Sequence, residues 1–460
     1  MYKRLYVTGI AAWLLLLAMA MLFYKERILF LDASFVLFHI IREGTFCIQV
    51  YRFGDAIMQL LPVLSFKAGL PLKDLIMSFS VSPVLIGFGA YVICGSVLKE
   101  YRFALVILLT NILFAADTFY WPISQIPQGI AFLMLVLSLL NGKTVNEIRF
   151  TKWSLIAALL ILLAFFHPLM SVIILFTLCF FWLSGNSVFD RKTLVYIAAI
   201  FFISLAVKLF FFNASYDRYS LSGLKNFVRL YPDYLHLYSN ERLLHNCLTK
   251  YCWLPVIFIG IAVFYVRTAQ WKKLVFIPAA VLGYILLINV TYPTAETPGF
   301  YIENLYLPVA LFLALPLLFD VLPAIRIHRM ALPVLLLIMV TGCARIYTTH
   351  TAYTARLQWE RDFLKQNGDR KTVAPATMPG ARVLQMTWGT CYEFLLLSVA
   401  EQGKPASIII DDQPAKYEFA TTEKKVLVVN WDRFPYTAVN NKYFHFTDTT
   451  TVYQVDTLTK

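Results

Sequence analysis

Long stretches of this sequence carry no charge at all. "SLIAALLILLAFF" (154–166) and "LVYIAAIFFISLAV" (194–207) are continuous apolar runs, and several more like them follow one another along the chain. Strands of a transmembrane barrel would instead alternate apolar and polar residues over about 10 positions. The runs therefore read as helices, and a hydrocarbon core about 30 Å thick needs about 20 residues at 1.5 Å each. Hydrophobic residues make up 59% of the 460 and charged residues 15%, where a soluble domain has about a quarter charged. No single water-soluble core can hide that much apolar surface. The expected class is a polytopic α-helical membrane protein.

The formal net charge of +13 does not point to nucleic acid, because no compact basic tract occurs. In a polytopic chain, excess Lys and Arg serve orientation and contact with anionic headgroups. The seven cysteines show no C-x-x-C pair and no metal-ligand spacing. Cys247 and Cys252 share one loop and would pair only in an oxidising compartment; otherwise they are free thiols acting as small hydrophobes. The start has a basic head like a signal peptide, but its apolar run, Leu5 to Tyr24, exceeds a signal core and reads as an uncleaved first span.

Orientation follows from the basic residues. With Lys3 and Arg4 inside, every short loop assigned to the inside carries at least two Lys or Arg, provided "FGDAIMQLLPVLSFKAGLPL" (53–72) lies at the outer interface and does not span. Those inner loops hold Lys99 and Arg102; Lys143, Arg149 and Lys152; Arg191 and Lys192; Arg267, Lys272 and Lys273; and "IRIHR" (325–329). About eleven spans result, over residues 1–346, with the amino terminus inside and a long first external loop at about 25–74. Residues 347–460 change composition. "LQWERDFLKQNGDRK" reads as an amphipathic helix ended by Asn367-Gly368. "ASIIIDD", "KKVLVVNWD" and "KYFHFTDTTTVYQV" read as short strands. A small α/β extracytoplasmic domain is expected there.

With the spans almost bare of charge, chemistry belongs in the outer loops. The first loop places Asp32 in "ILFLDASFVLF", one short step past the first span, with His39, Arg42 and Arg52 beyond it. Its apolar residues suggest a helix lying in the interface with its greasy side in lipid. Two readings of Asp32 stand: a cap for the helix that follows, or a functional carboxylate held over the mouth of the bundle.

A basic tail, one span, then an Asp at the start of a long external loop resembles the GT-C superfamily of glycosyltransferases. So do about eleven spans and a carboxyl-terminal extracytoplasmic domain. The resemblance covers the whole chain as architecture, and Asp32 is the one motif that matches. It implies a polyprenyl-phosphate-linked sugar as donor, a glycan, lipid or protein as acceptor, and inverting transfer with Asp32 as general base. It implies cationic groups for the leaving phosphate, for which Arg42, Arg52, Arg218, Lys225, Arg229 and Arg242 are candidates. His39, His167, Glu296, Tyr301 and Glu303 are further candidates for binding sugar or acceptor. No Asp-x-Asp or Asp-Glu pair accompanies Asp32, so a divalent cation is allowed by the family but not indicated by a paired acidic motif.

Other readings belong to other classes. A transporter or flippase of lipid-linked glycans would show repeated halves and polar groups at mid-membrane, which this sequence lacks. A protein of GT-C shape that binds lipid or scaffolds glycan assembly without catalysis is the remaining alternative. The expected location is a bacterial plasma membrane, with the tail in the periplasm.

Overall fold

A computed structural model describes residues 1–185, 188–212, 216, 222–324, 328–368, 370–376 and 386–456. Its helices are, in order, α1 (Tyr2–Leu22), α2 (Tyr24–Ile28), α3 (Leu31–Glu43), α4 (Asp55–Lys67), α5 (Leu72–Val97), α6 (Tyr101–Ile112), α7 (Asp117–Tyr120), α8 (Ile126–Leu140) and α9 (Phe150–Ala164). They continue as α10 (Met170–Leu183), α11 (Arg191–Phe211), α12 (Tyr238–Thr249), α13 (Trp253–Arg267), α14 (Trp271–Thr291), α15 (Gly299–Ala324), α16 (His328–Asn367) and α17 (Thr390–Gln402). Each of the eleven apolar runs folds as a helix. Six of them, α1, α5, α11, α14, α15 and α16, are long and apolar enough to cross a membrane. The pair α12 and α13, bent by 89°, makes a seventh if it counts as one span. The helices α6, α8, α9 and α10 are apolar but shorter.

Local chemistry sets the boundaries. Asp190 caps α11 by accepting the Thr193 amide at 3.0 Å. Gly44 ends α3 in the left-handed conformation that glycine adopts without a Cβ clash. The stretch kept out of the membrane in the sequence reading is α4, whose 13 residues fall well short of the roughly 20 a span needs.

One core fills the helical bundle around α15, of whose apolar window 89% is buried. A second core joins the first loop to the carboxyl-terminal region. There β1 (Thr372–Pro375), β2 (Ile408–Asp411) and β5 (Gln454–Val455) form a parallel sheet in the order β2-β1-β5, while β3 (Val426–Val428) and β4 (Arg433–Pro435) make an antiparallel hairpin. Both β1 and β2 are buried along their length, as parallel strands covered on both faces are.

Two expectations change here. Leu37, Phe38, Ile40 and Ile41 of α3 are fully buried, so the apolar side of this helix does not rest in lipid. It packs on α17, with Phe38 against Tyr392, Phe434 and Phe444. The second change concerns the boundary at 346/347, which falls inside α16. This helix runs unbroken for 40 residues, so the bundle and the carboxyl-terminal region share one rod and have no flexible linker at that point.

Candidate active site

The site is built on α7, a single turn clamped at both ends. At its start the buried Glu303 carboxylate accepts the amides of Ala116, Asp117 and Thr118 at 2.7, 3.2 and 2.8 Å, together with the Thr118 hydroxyl at 2.8 Å. This is a carboxylate at the positive end of a turn, and the Tyr251 hydroxyl completes its shell. At the far end the fully buried Arg27 donates to the Phe119 carbonyl and, through Nε and Nη2, to Ser80 at 2.9 and 3.0 Å. Glu303, a candidate for substrate binding by sequence, is thus engaged in holding α7. The residue that α7 delivers is Trp121.

Trp121 Nε1 donates to Asp32 Oδ2 at 2.9 Å. Asp32 lies in the first turn of α3 and does not cap it: the cap position is Phe30, with no side-chain cap bond. The cap reading of Asp32 is therefore set aside. Removal from water pushes the Asp32 carboxyl above its ordinary range, opposed by the Trp121 bond and by the positive charge of Arg52. The backbone that presents Asp32 is strained. Leu31 has φ 43°, and its amide donates to Glu393 Oε1 of α17 at 2.9 Å. The other oxygen of Glu393 takes Arg356 Nε of α16 at 2.7 Å.

Arg52 comes from a second strained turn, in which Val50 and Tyr51 have φ 47° and 55°; positive φ is costly for a β-branched residue. Gly54 follows, packed so tightly on the Phe166 ring that a Cβ would approach it to 2.7 Å. Asp55 opens α4 with its carboxyl buried. Burial raises it to about 7, against the attraction of Arg52, a bond from Gln125 and the attraction of Lys208, and with the repulsion of Asp32.

His167 faces the same positive charges. Burial, Arg52 and Lys208 together hold its imidazole well below the usual range. Its Nδ1 accepts the Leu169 amide at 3.2 Å, so the neutral ring presents Nε2–H as a donor. Lys208, near the end of α11, is buried and donates to the Phe166 carbonyl at 3.3 Å. The aromatic side of the site is Tyr301, whose hydroxyl meets that of Tyr292 at 3.3 Å and whose ring lies 6.1 Å from Trp121. Tyr216 stands close to Asp32, Arg52 and Tyr301.

Of the sequence candidates, Asp32, Arg52, His167 and Tyr301 converge. The others do not join them. His39 and Arg42 lie farther along α3 against the carboxyl-terminal region: His39 bonds Glu43 and packs on Phe35, while Arg42 pairs with Glu43 and stacks on Phe434 at 4.1 Å. Lys225, Arg229 and Glu296 are exposed. Arg242 donates to the Thr297 carbonyl at 2.7 Å and lines a separate cavity of about 60 Å³ with Asp117, Lys250 and Glu303. Arg218 and residues 325–327, part of the basic run expected inside, lie outside the described residues. Cys247 and Cys252 are both free thiols.

Sequence reasoning missed Asp55, Lys208, Gln125 and Tyr216. A signal existed for Lys208, since a lone ionisable residue in an apolar run marks a functional position. Among the described residues no cluster of three or more His, Cys, Asp or Glu has the arrangement to hold a metal ion. No family model, curated protein or solved structure matches the chain.

Proposed function

We propose that the chain is an inverting glycosyltransferase that moves a sugar from a polyprenyl-phosphate donor to an acceptor hydroxyl at the outer face of the membrane. The observation that carries this reading is the convergence on one half-buried carboxylate, Asp32, of an indole N–H, an arginine and a second, buried carboxyl. In this reading all eleven apolar helices cross the membrane, with the amino terminus inside and the first loop and the tail outside. The short helices are completed by non-helical backbone buried in protein, such as Leu113–Ala116 after α6, which is tolerated at membrane depth.

The reaction is one displacement. Asp32 takes the proton of the acceptor hydroxyl while its oxygen bonds the anomeric carbon; the carbon–oxygen bond to the lipid phosphate breaks, and the electron pair leaves with the phosphate. A carboxylate whose pKa is raised by burial is a stronger base, while Trp121 and Arg52 favour its ionised form. Arg52 and Lys208 offset the charge growing on the phosphate. Asp55, with its proton retained to about 7, matches a departing phosphate monoester, whose second pKa is about 6, and serves as its proton donor. His167 adds a neutral hydrogen-bond donor, and Tyr301 with Trp121 offers aromatic faces to the sugar.

Membranes holding the protein, incubated with a panel of radiolabelled polyprenyl-phosphate sugars, test this. Wild type should transfer label and Asp32→Asn should lose about 100- to 10,000-fold, the range for a general base. Transfer by Asp32→Asn at the wild-type rate overturns the assignment.

A further inference from the structure

The outer region carries a second concave site that the transfer chemistry does not use. At the tip of the β3–β4 hairpin the Val429 amide donates to the Asp432 carbonyl at 3.0 Å, closing a turn that projects Asn430, Trp431 and Asp432. These residues, with Lys416, Tyr417 and Arg433, line an open cleft of about 550 Å³, within the range of small-ligand sites. Trp431 is 62% exposed, unusual for the largest apolar side chain in a folded region. It is nevertheless fixed in place, stacked on Trp388 at 4.6 Å and 27°.

The polar rim is specific. Lys416 is paired with Asp411 at 2.6 Å, and Arg433 is paired with Glu423 and lies over the Phe419 ring at 4.9 Å. Both cations are therefore neutralised. Asn430 lines the cleft and its Oδ1 accepts the Tyr417 hydroxyl at 2.7 Å, so the donors its side chain has to offer are its amide N–H groups, and the Asp432 carboxylate is exposed without a side-chain partner among the described residues. The cleft thus presents a flat indole flanked by one acceptor and one donor group, with no unpaired cation among the described lining residues to hold a phosphate. That set suits a pyranose, whose C–H face stacks on the ring while its hydroxyls donate to Asp432 and accept from Asn430.

The cleft adjoins the candidate active site. Phe35 contacts both Trp388 and Trp431, with centroids at 6.3 and 6.1 Å, and lies one turn beyond Asp32 on the same face of α3. We propose that this cleft binds the saccharide part of the acceptor, with a sugar ring stacked on Trp431. Its role as acceptor site rests on the transferase reading; the binding itself does not.

The test uses the full-length protein in lipid nanodiscs, titrated with chitohexaose, cellohexaose and mannohexaose, read by tryptophan fluorescence and saturation-transfer NMR. At least one hexasaccharide should bind, Trp431→Ala should weaken it at least about ten-fold, and Asp32→Asn should leave it unchanged. Unfolding curves of Trp431→Ala should match wild type, because the ring is largely exposed. Absence of binding by all three overturns the proposal, as does binding unaffected by Trp431→Ala. Trp431-dependent binding of an unstructured mixed-sequence peptide in their place also overturns it. No saccharide binding with Asp32-dependent transfer intact removes this proposal alone. Trp431-dependent binding without Asp32-dependent transfer supports the cleft and removes the transferase reading.

Discussion

Gly389 carries helical-region dihedrals, φ −84° and ψ −7°, so alanine is conformationally admissible there. On chain entropy alone, Gly389→Ala would stabilise the fold by about 0.4–1 kcal/mol. Space reverses the sign. A Cβ at this position would stand 2.6 Å from Leu31 Cα, whereas carbon atoms rest about 3.5–4.0 Å apart. Roughly 1 Å must open, and the obstacle is backbone. Leu31 cannot yield cheaply, because its amide is tied to Glu393 at 2.9 Å. We expect Gly389→Ala to lose about 1–3 kcal/mol, the usual cost of overpacking, in reversible denaturant unfolding of the detergent-solubilised protein. Gly260→Ala is the control: nothing lies within 4 Å of its added Cβ, and helix propensity favours alanine by about 1 kcal/mol. The shift passes directly to Asp32, and a misplacement of about 1 Å costs about 100-fold in rate, so sugar transfer should fall by that order. A Gly389→Ala protein as stable as wild type refutes the clamp on Leu31.

Three further perturbations probe the same geometry. Glu393→Ala leaves the Leu31 amide without its buried acceptor and Arg356 with Glu360 as its remaining buried carboxylate, and should destabilise the protein by about 1–3 kcal/mol, read by the same unfolding assay. Asp55 holds its proton to about 7 when folded, against about 3.9 in an unfolded chain. The folded state binds more protons between those values, so wild-type stability should fall as pH rises from about 4 to about 7. The slope is at most about 1.4 kcal/mol per unit; in Asp55→Asn this component should vanish, and an unchanged slope refutes it. Trp121→Phe removes the indole N–H that draws the Asp32 carboxyl down, so the acid limb of the transfer pH–rate profile should move to higher pH.

The apolar helices were legible because a long uncharged run must satisfy its backbone within itself once water is excluded, and six of them are long and apolar enough to cross a membrane. Asp32 was legible as an isolated carboxylate beside a span. Of its neighbours Arg52, His167 and Tyr301 were named from the loops, whereas Asp55 was not, because it follows a left-handed turn at Val50 and Tyr51 that no local pattern announces, and Lys208 comes from a helix more than 150 positions away in the chain. The apolar residues of α3 were assigned to lipid because sequence does not distinguish a lipid-facing side from one facing protein. In the tail, β2 and β3 lie within the expected strands, whereas of "KYFHFTDTTTVYQV" only Gln454–Val455 pairs as a strand. Asp448 Oδ1 accepts the amides of Thr450 and Thr451 at 2.9 and 3.0 Å, a local turn that competes with extension. The strand β1 and helix α17 went unread: four residues carry no periodicity, and α17 is buried nearly all round.

The unbroken α16 has a mechanical consequence. Forty residues at 1.5 Å each make a lever about 60 Å long, with its lower part packed on the bundle and Arg356, near its upper end, gripping the carboxylate that holds Leu31. A thicker or thinner bilayer changes the tilt of such a rod, and beyond Pro333, close to its start, the rod has no break in which to absorb that change. In the transferase reading, lipid composition thereby becomes an input to the position of Asp32, and the site is geared to the thickness of the membrane beside it.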